Sequence, residues 1–142
     1  MLTAAVAAAA ADADVCSIGV KGYATLDKAL EEANTGDTIM LLQSITHTSP
    51  VMVTGENITF ALGSFDLTIN TSTLNGTTAL LVTGGGEVNY TGAGRFSAIG
   101  NSTAVRADGA GSKLTVSHAE TTRGSAYTVQ ATDGGTVTVK GN

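Results

Sequence analysis

The sequence of this chain echoes itself. Val105 and Ala107, then Asp108-Gly109, then Leu114 and Val116 return as Val129 and Ala131 at an offset of 24, Asp133-Gly134 at 25, and Val137 and Val139 at 23 residues. Leu80, Val82, Gly84-Gly85-Gly86, Val88 and Tyr90 precede the first of these blocks by 25 or 26, and Leu67 and Ile69 precede Val88 and Tyr90 by 21. A period drifting between 21 and 26 over four units is the spacing of a solenoid coil and has no counterpart in a Greek-key sandwich.

Within each unit the apolar residues alternate with period two and break at Gly or Asn, so the units are made of short strands. The expected strands are Thr38–Leu42, Val51–Val53, Ile58–Leu62, Leu67–Ile69, Leu80–Val82, Val88–Tyr90, Ser97–Ile99, Val105–Ala107, Leu114–Val116, Thr128–Ala131 and Val137–Val139. Stacked coil on coil, they predict inward columns Leu67, Val88, Leu114, Val137 and Ile69, Tyr90, Val116, Val139, with Thr68, Asn89, Thr115 and Thr138 outward between them. A second inward pair of columns is Leu80, Val105, Val129 and Val82, Ala107, Ala131. Aromatic residues make up 4% of the chain, so the core is expected to consist of Val, Ile, Leu, Ala and Thr.

One stretch reads as helix. Leu26, Ala29, Leu30 and Ala33 recur at i, i+3, i+4 and i+7, with Asp27, Lys28, Glu31 and Glu32 on the opposite face. Thr25 is the natural N-cap and Asn34-Thr35-Gly36 the stop, which places the helix over residues 25–34. Two turns do not persist alone in water, so Leu26 and Leu30 are expected to cap the first rung of the coils, which run over 37–142.

Ahead of the cap, residues 1–19 form an Ala-rich arm. Leu2–Ala11 resembles the end of a secretory signal without its basic region, and about ten apolar residues are too few to span a bilayer. Cys16 is the single cysteine, which excludes an intrachain disulfide and leaves a half-buried thiol or a disulfide between chains.

The residues Tyr23-Ala24-Thr25-Leu26-Asp27-Lys28-Ala29-Leu30, Gly36-Asp37-Thr38-Ile39-Met40-Leu41-Leu42 and Ile58-Thr59-Phe60-Ala61-Leu62-Gly63 resemble the N-terminal cap and first coils of pectin-lyase-like β-helices in bacterial cell-surface, adhesin-like proteins. The resemblance covers about residues 20–142. It implies an all-β fold, a right-handed parallel β-helix with a short N-terminal capping α-helix, and an extracellular setting, at the cell surface or secreted. Ala61 stands where that family often has Asp, and the final strand is followed by no cap.

Enzymes of this fold that act on polygalacturonate carry Asp with Arg, Lys or His on adjacent rungs. Here the rung neighbours expected for Arg106 are Gln130 and Leu81, and no catalytic residue is assigned. Asp108 and Asp133, 25 apart, are expected to stack at corresponding turns and are weak Ca²⁺ candidates with backbone carbonyls, though each precedes a Gly and suits an Asx turn. His47 and His118 read as surface or turn histidines, and Glu56, Glu87 and Glu120 as solvated corners. Asn57, Asn70, Asn75, Asn89 and Asn101 begin N-x-S/T triplets but fit corners and outward ladders. No cofactor is expected.

Seven basic against 12 acidic residues, a net charge of −5, argues against nucleic acid and anionic membranes as partners. What remains is a structural or adhesive surface module. Its last rung, through Val137 and Val139, is expected to meet a second copy head to tail, downstream coils of the same protein, or the arm through Leu2, Val6 and Val15. A carbohydrate-binding domain for surface glycans and a polysaccharide-active enzyme are the alternatives. Thr ladders also occur on ice-binding solenoids, but the outward column as read is too irregular for a lattice match.

Overall fold

A computed structural model describes residues 14–123 and 127–141 of the 142-residue chain. Four successive turns of three strands build a parallel β-solenoid. The first turn is β3 (Thr38–Leu41), β4 (Ile45–His47) and β5 (Val51–Thr54); the second is β6 (Asn57–Ala61), β7 (Leu67–Asn70) and β8 (Thr78–Thr83). The third is β9 (Glu87–Thr91), β10 (Phe96–Gly100) and β11 (Thr103–Asp108), and the fourth β12 (Lys113–Val116), β13 (His118–Thr121) and β14 (Tyr127–Thr132). β15 (Thr136–Val139) begins another turn. The three faces are parallel sheets in the orders β15-β12-β9-β6-β3, β13-β10-β7-β4 and β14-β11-β8-β5.

The first sheet continues past β3 into two strands of a different kind. β1 (Cys16–Ile18) lies antiparallel on β3, and β2 (Lys21–Tyr23) antiparallel on β1. Helix α1 (Leu26–Glu32) follows them. Thr25 accepts a hydrogen bond from the Lys28 N–H at 3.3 Å, the N-cap expected from sequence. The helix buries Leu26 and Ala29 against the hairpin, while Leu30 is only half-buried. Of the two cap residues read from sequence, Leu26 is therefore the anchor. Leu30 instead lines a shallow cleft beside Pro50, Val51 and Met52.

The columns through Val51, Leu80, Val105 and Val129, and through Val53, Val82, Ala107 and Ala131, run as expected, each one strand longer than foreseen. The Leu67 column needs correction. Leu67 and Ile69 stack on Ile45 and His47 below and on Phe96 and Ala98 above, in the second sheet. The rung beneath Val88 and Tyr90 is Ile58 and Phe60, 30 residues earlier. The outward ladder of the first sheet accordingly runs Thr38, Thr59, Asn89, Thr115, Thr138, with Thr68 on a different face. The cause is the corner 71–77 between β7 and β8, whose counterpart between β10 and β11 is just Asn101 and Ser102. That longer corner stretches one period and leaves its neighbour at 21.

The middle of the core is aromatic after all. Phe60 and Phe96 are fully buried and meet edge to face at 5.4 Å, and Tyr90 closes on Phe96 at 5.8 Å. Such pairs add about 0.5–1.5 kcal/mol beyond area burial. The corner after the third sheet shows why Gly recurs. Gly55, Gly84 and Gly109 occupy equivalent places with φ of 72°, 64° and 95°. Asp133 takes the fourth at φ 50°, the one left-handed non-glycine among the described residues.

Candidate functional site

The two ends of the stack differ. At the N-terminal end, the Val15 N–H donates to the Tyr23 carbonyl at 2.8 Å and the Val15 carbonyl accepts from the Leu42 N–H at 2.9 Å. Val15 is thus built into the hairpin side of the cap and is not free to reach the last rung, contrary to the role expected for it. Leu2 and Val6 lie outside the described residues. Cys16 beside it is fully buried, its sulfur 4.0 Å from the Thr25 carbonyl. Burial, with Asp14 adding to it, pushes the thiol up to about 11. The thiolate needed for disulfide exchange is disfavoured and the half-buried reading is replaced by a core cysteine.

A polar tie holds the cap together. Glu32 on α1 accepts from Lys21 Nζ and from Tyr23 Oη at 2.9 Å, and Lys21 sits 5.3 Å from the Tyr23 ring centre. These hydrogen bonds, that of Lys21 first, hold the Glu32 carboxyl below its ordinary range.

At the C-terminal end the inward columns come to the surface. Val129 and Val139 are each 43% exposed, Val137 is half-buried, and β13, β14 and β15 each carry an outer edge. Tyr127, at the start of β14, is 65% exposed. One rung earlier, Val105, Ala107, Leu114 and Val116 are at most 1% exposed. The face therefore offers apolar side chains flanked by strand edges, the two features that let a sheet take another strand.

The side walls carry polar ladders. Asp108 does not stack on Asp133. It pairs with Thr132, whose hydroxyl donates to its carboxylate, and its other oxygen lies 3.4 Å from the Arg106 guanidinium. With Asp133 one place further on, in the left-handed turn, the pair does not face one site as a Ca²⁺ reading requires. Arg106 has Leu81 and Gln130 as rung neighbours, as expected. Asn101 donates to the Ser72 carbonyl and accepts from the Gly76 N–H, and Asn70 accepts from the Ser72 N–H, so both serve as corner fasteners. Asn57, Asn75 and Asn89 are exposed.

His47 was missed. It is not a surface residue: its side chain is 9% exposed, facing inward on β4 beneath Ile69, with Nε2 3.3 Å from Asp27 Oδ1 on α1. Both line a cleft of about 260 Å³ between cap and first turn. The alternation Ile45-Thr46-His47 carried the inward signal, but with a single apolar residue it was too short to read as a strand. His118 is half-exposed, as expected of it, and sits 3.4 Å from Glu120 on the same strand.

These features define a parallel β-solenoid closed at one end by a hairpin and a helix, with its last described rung uncovered. Comparison with protein-family models, curated proteins and solved structures found no match. Among the described residues, no helix is long and apolar enough to cross a membrane.

Proposed function

We propose that this chain is a non-catalytic surface module, of the kind found in adhesin-like β-helices, whose last described rung pairs with the same rung of a second copy wherever downstream coils of the same protein do not cover it. The observation that carries this reading is the inequality of the ends. Continuing the stack head to tail calls for an uncovered first rung, whereas β1, β2 and α1 occupy that end of the first sheet. Two like ends meeting about a two-fold axis instead pair their edge strands antiparallel and bury Val129, Val137 and Val139 against their own copies. The extracellular setting rests on the likeness of cap and coils to bacterial surface solenoids.

Sedimentation velocity over a concentration series tests it. A concentration-dependent dimer that Val139→Asp dissociates supports the proposal. A monomer at every concentration removes it, and a ladder of ever larger species points to head-to-tail addition instead.

A second reading, glycan binding, is favoured by one observation. The ladder Thr38, Thr59, Asn89 sets three hydroxyl or amide groups in line at the rung spacing of about 4.8 Å, and Thr115 and Thr138 pair on the next two rungs. An extended polysaccharide laid along it would meet a donor or acceptor at each rung, and a glycan array reads this out directly.

A further inference from the structure

The corner 71–77 between β7 and β8 carries the chain's one Asn-Gly pair, Asn75-Gly76. Every other Asn that has a successor in the sequence is followed by Thr, Ile, Tyr or Ser. The backbone nitrogen of the residue after an Asn lies within reach of the Asn side-chain amide carbon, and a side chain on that residue hinders its attack. Glycine removes the hindrance and frees the backbone to bring the two atoms together. Here both residues stand in the open: Asn75 and Gly76 are exposed, and nothing lies within 4 Å of the place a Gly76 Cβ would take. They are the central residues of a turn closed by the Thr77 N–H on the Leu74 carbonyl at 3.3 Å, with Gly76 at φ 75°.

One contact opposes the attack. The Gly76 N–H donates to Asn101 Oδ1 at 3.1 Å, while Asn101 Nδ2 donates to the Ser72 carbonyl at 3.0 Å, so the corner is strapped from the rung above. The nitrogen attacks only after losing that partner and its proton. We propose that Asn75 is a modification site, converted without an enzyme to isoaspartate and aspartate, and that Asn101 sets the rate. The Gly76 nitrogen, giving its proton to solvent base, bonds to Asn75 Cγ; the side-chain amine takes up a proton and leaves as ammonia, closing a succinimide. Water then opens the ring. Cleavage between the nitrogen and Cγ gives aspartate, and cleavage between the nitrogen and the backbone carbonyl carbon gives isoaspartate. Nothing is oxidised or reduced, and water is the only co-reactant. Either product adds a negative charge to a chain already at −5 and erases the triplet Asn75-Gly76-Thr77. Isoaspartate also lengthens the backbone of the corner by a methylene group.

Peptide mass spectrometry tests this on the full 142-residue chain, held folded at mildly alkaline pH for several weeks and digested at intervals. The peptide holding Asn75 should gain about 1 Da, the exchange of an amine for a hydroxyl, and separate into isoaspartyl and aspartyl forms on chromatography. Asn101→Ala should speed the gain about fivefold, the worth of one ordinary hydrogen bond. Asn70→Ala removes the neighbouring fastener on the Ser72 N–H without touching Gly76 and should leave the rate at the parent's value, which separates the strap from a general loosening of the corner. An Asn75 peptide that stays unchanged in the parent, whether or not another Asn converts, overturns the proposal. So does Asn101→Ala converting at the parent's rate, or an equal acceleration by Asn70→Ala.

Discussion

The Ser117 hydroxyl accepts from the Phe96 N–H at 2.6 Å and donates to the Phe96 carbonyl at 2.9 Å, fully inside the stack. The Ser117 N–H bonds the same carbonyl at 2.9 Å. One small side chain therefore completes the hydrogen bonding where the chain turns from β12 into β13, directly above the aromatic centre of the core. Ser117→Ala leaves a buried N–H without its partner and should cost about 1–3 kcal/mol in urea unfolding. A change below about 0.5 kcal/mol would show that water or a backbone shift replaces the hydroxyl.

Leu26 and Leu30 separate the anchor of the cap from its margin. Leu26→Ala removes a side chain that is 2% exposed and should cost about 2–5 kcal/mol. Leu30→Ala, at a half-buried site, should cost distinctly less, on the order of 1 kcal/mol. Thermal melts of the two variants read the difference, and equal losses would mean that the helix packs differently.

The register of the first sheet is open to test at adjacent residues. Val116 is fully buried and Thr115 faces outward, so Val116→Asp should unfold the last turns while Thr115→Asp stays within about 1 kcal/mol of the parent. Circular dichroism against temperature distinguishes them, and similar damage from both would place the strand one residue out of register.

Asp133 stands where Gly55, Gly84 and Gly109 stand in the preceding turns. If it serves only the left-handed corner, Asp133→Gly relieves strain and stability should hold or rise by up to about 1 kcal/mol. A loss of that size, measured by denaturant unfolding, would reveal a role for its carboxylate.

The cap should weaken in acid. Because Glu32 is held below its ordinary value of 4.5 in the folded chain, its contribution is complete above that value. It is lost as pH falls through the lower folded value. Glu32→Gln should flatten the acid limb of a Tm-against-pH curve, and an unchanged limb would assign the acid loss to other carboxylates.

Much of this architecture was legible because the third sheet is regular. Leu80, Val105 and Val129 repeat with little drift, and the outward neighbours of Arg106 followed from them. The second sheet was hidden. In β13 the inward residue is Ala119 between polar neighbours, and in β4 the inward pair is Ile45 with the polar His47, so hydrophobic alternation was faint where the corner 71–77 also broke the period. The β1–β2 hairpin turns at Gly19-Val20, and Val20 is fully exposed, which masks the turn as an apolar run. The cleft was invisible for a simpler reason: Asp27 and His47 meet only once the cap has folded down onto the first turn.

The order of the parts along the chain has a consequence for biosynthesis. The hairpin and α1 leave the ribosome before any coil, and their contacts are local, so the closed end can form as soon as β3 arrives. Each later turn then needs to close a loop of only about 20–30 residues onto edges already in place, at a nearly constant entropic cost. The chain is suited to vectorial assembly, in which every finished rung is the template for the next and the growing edge is never longer than three short strands.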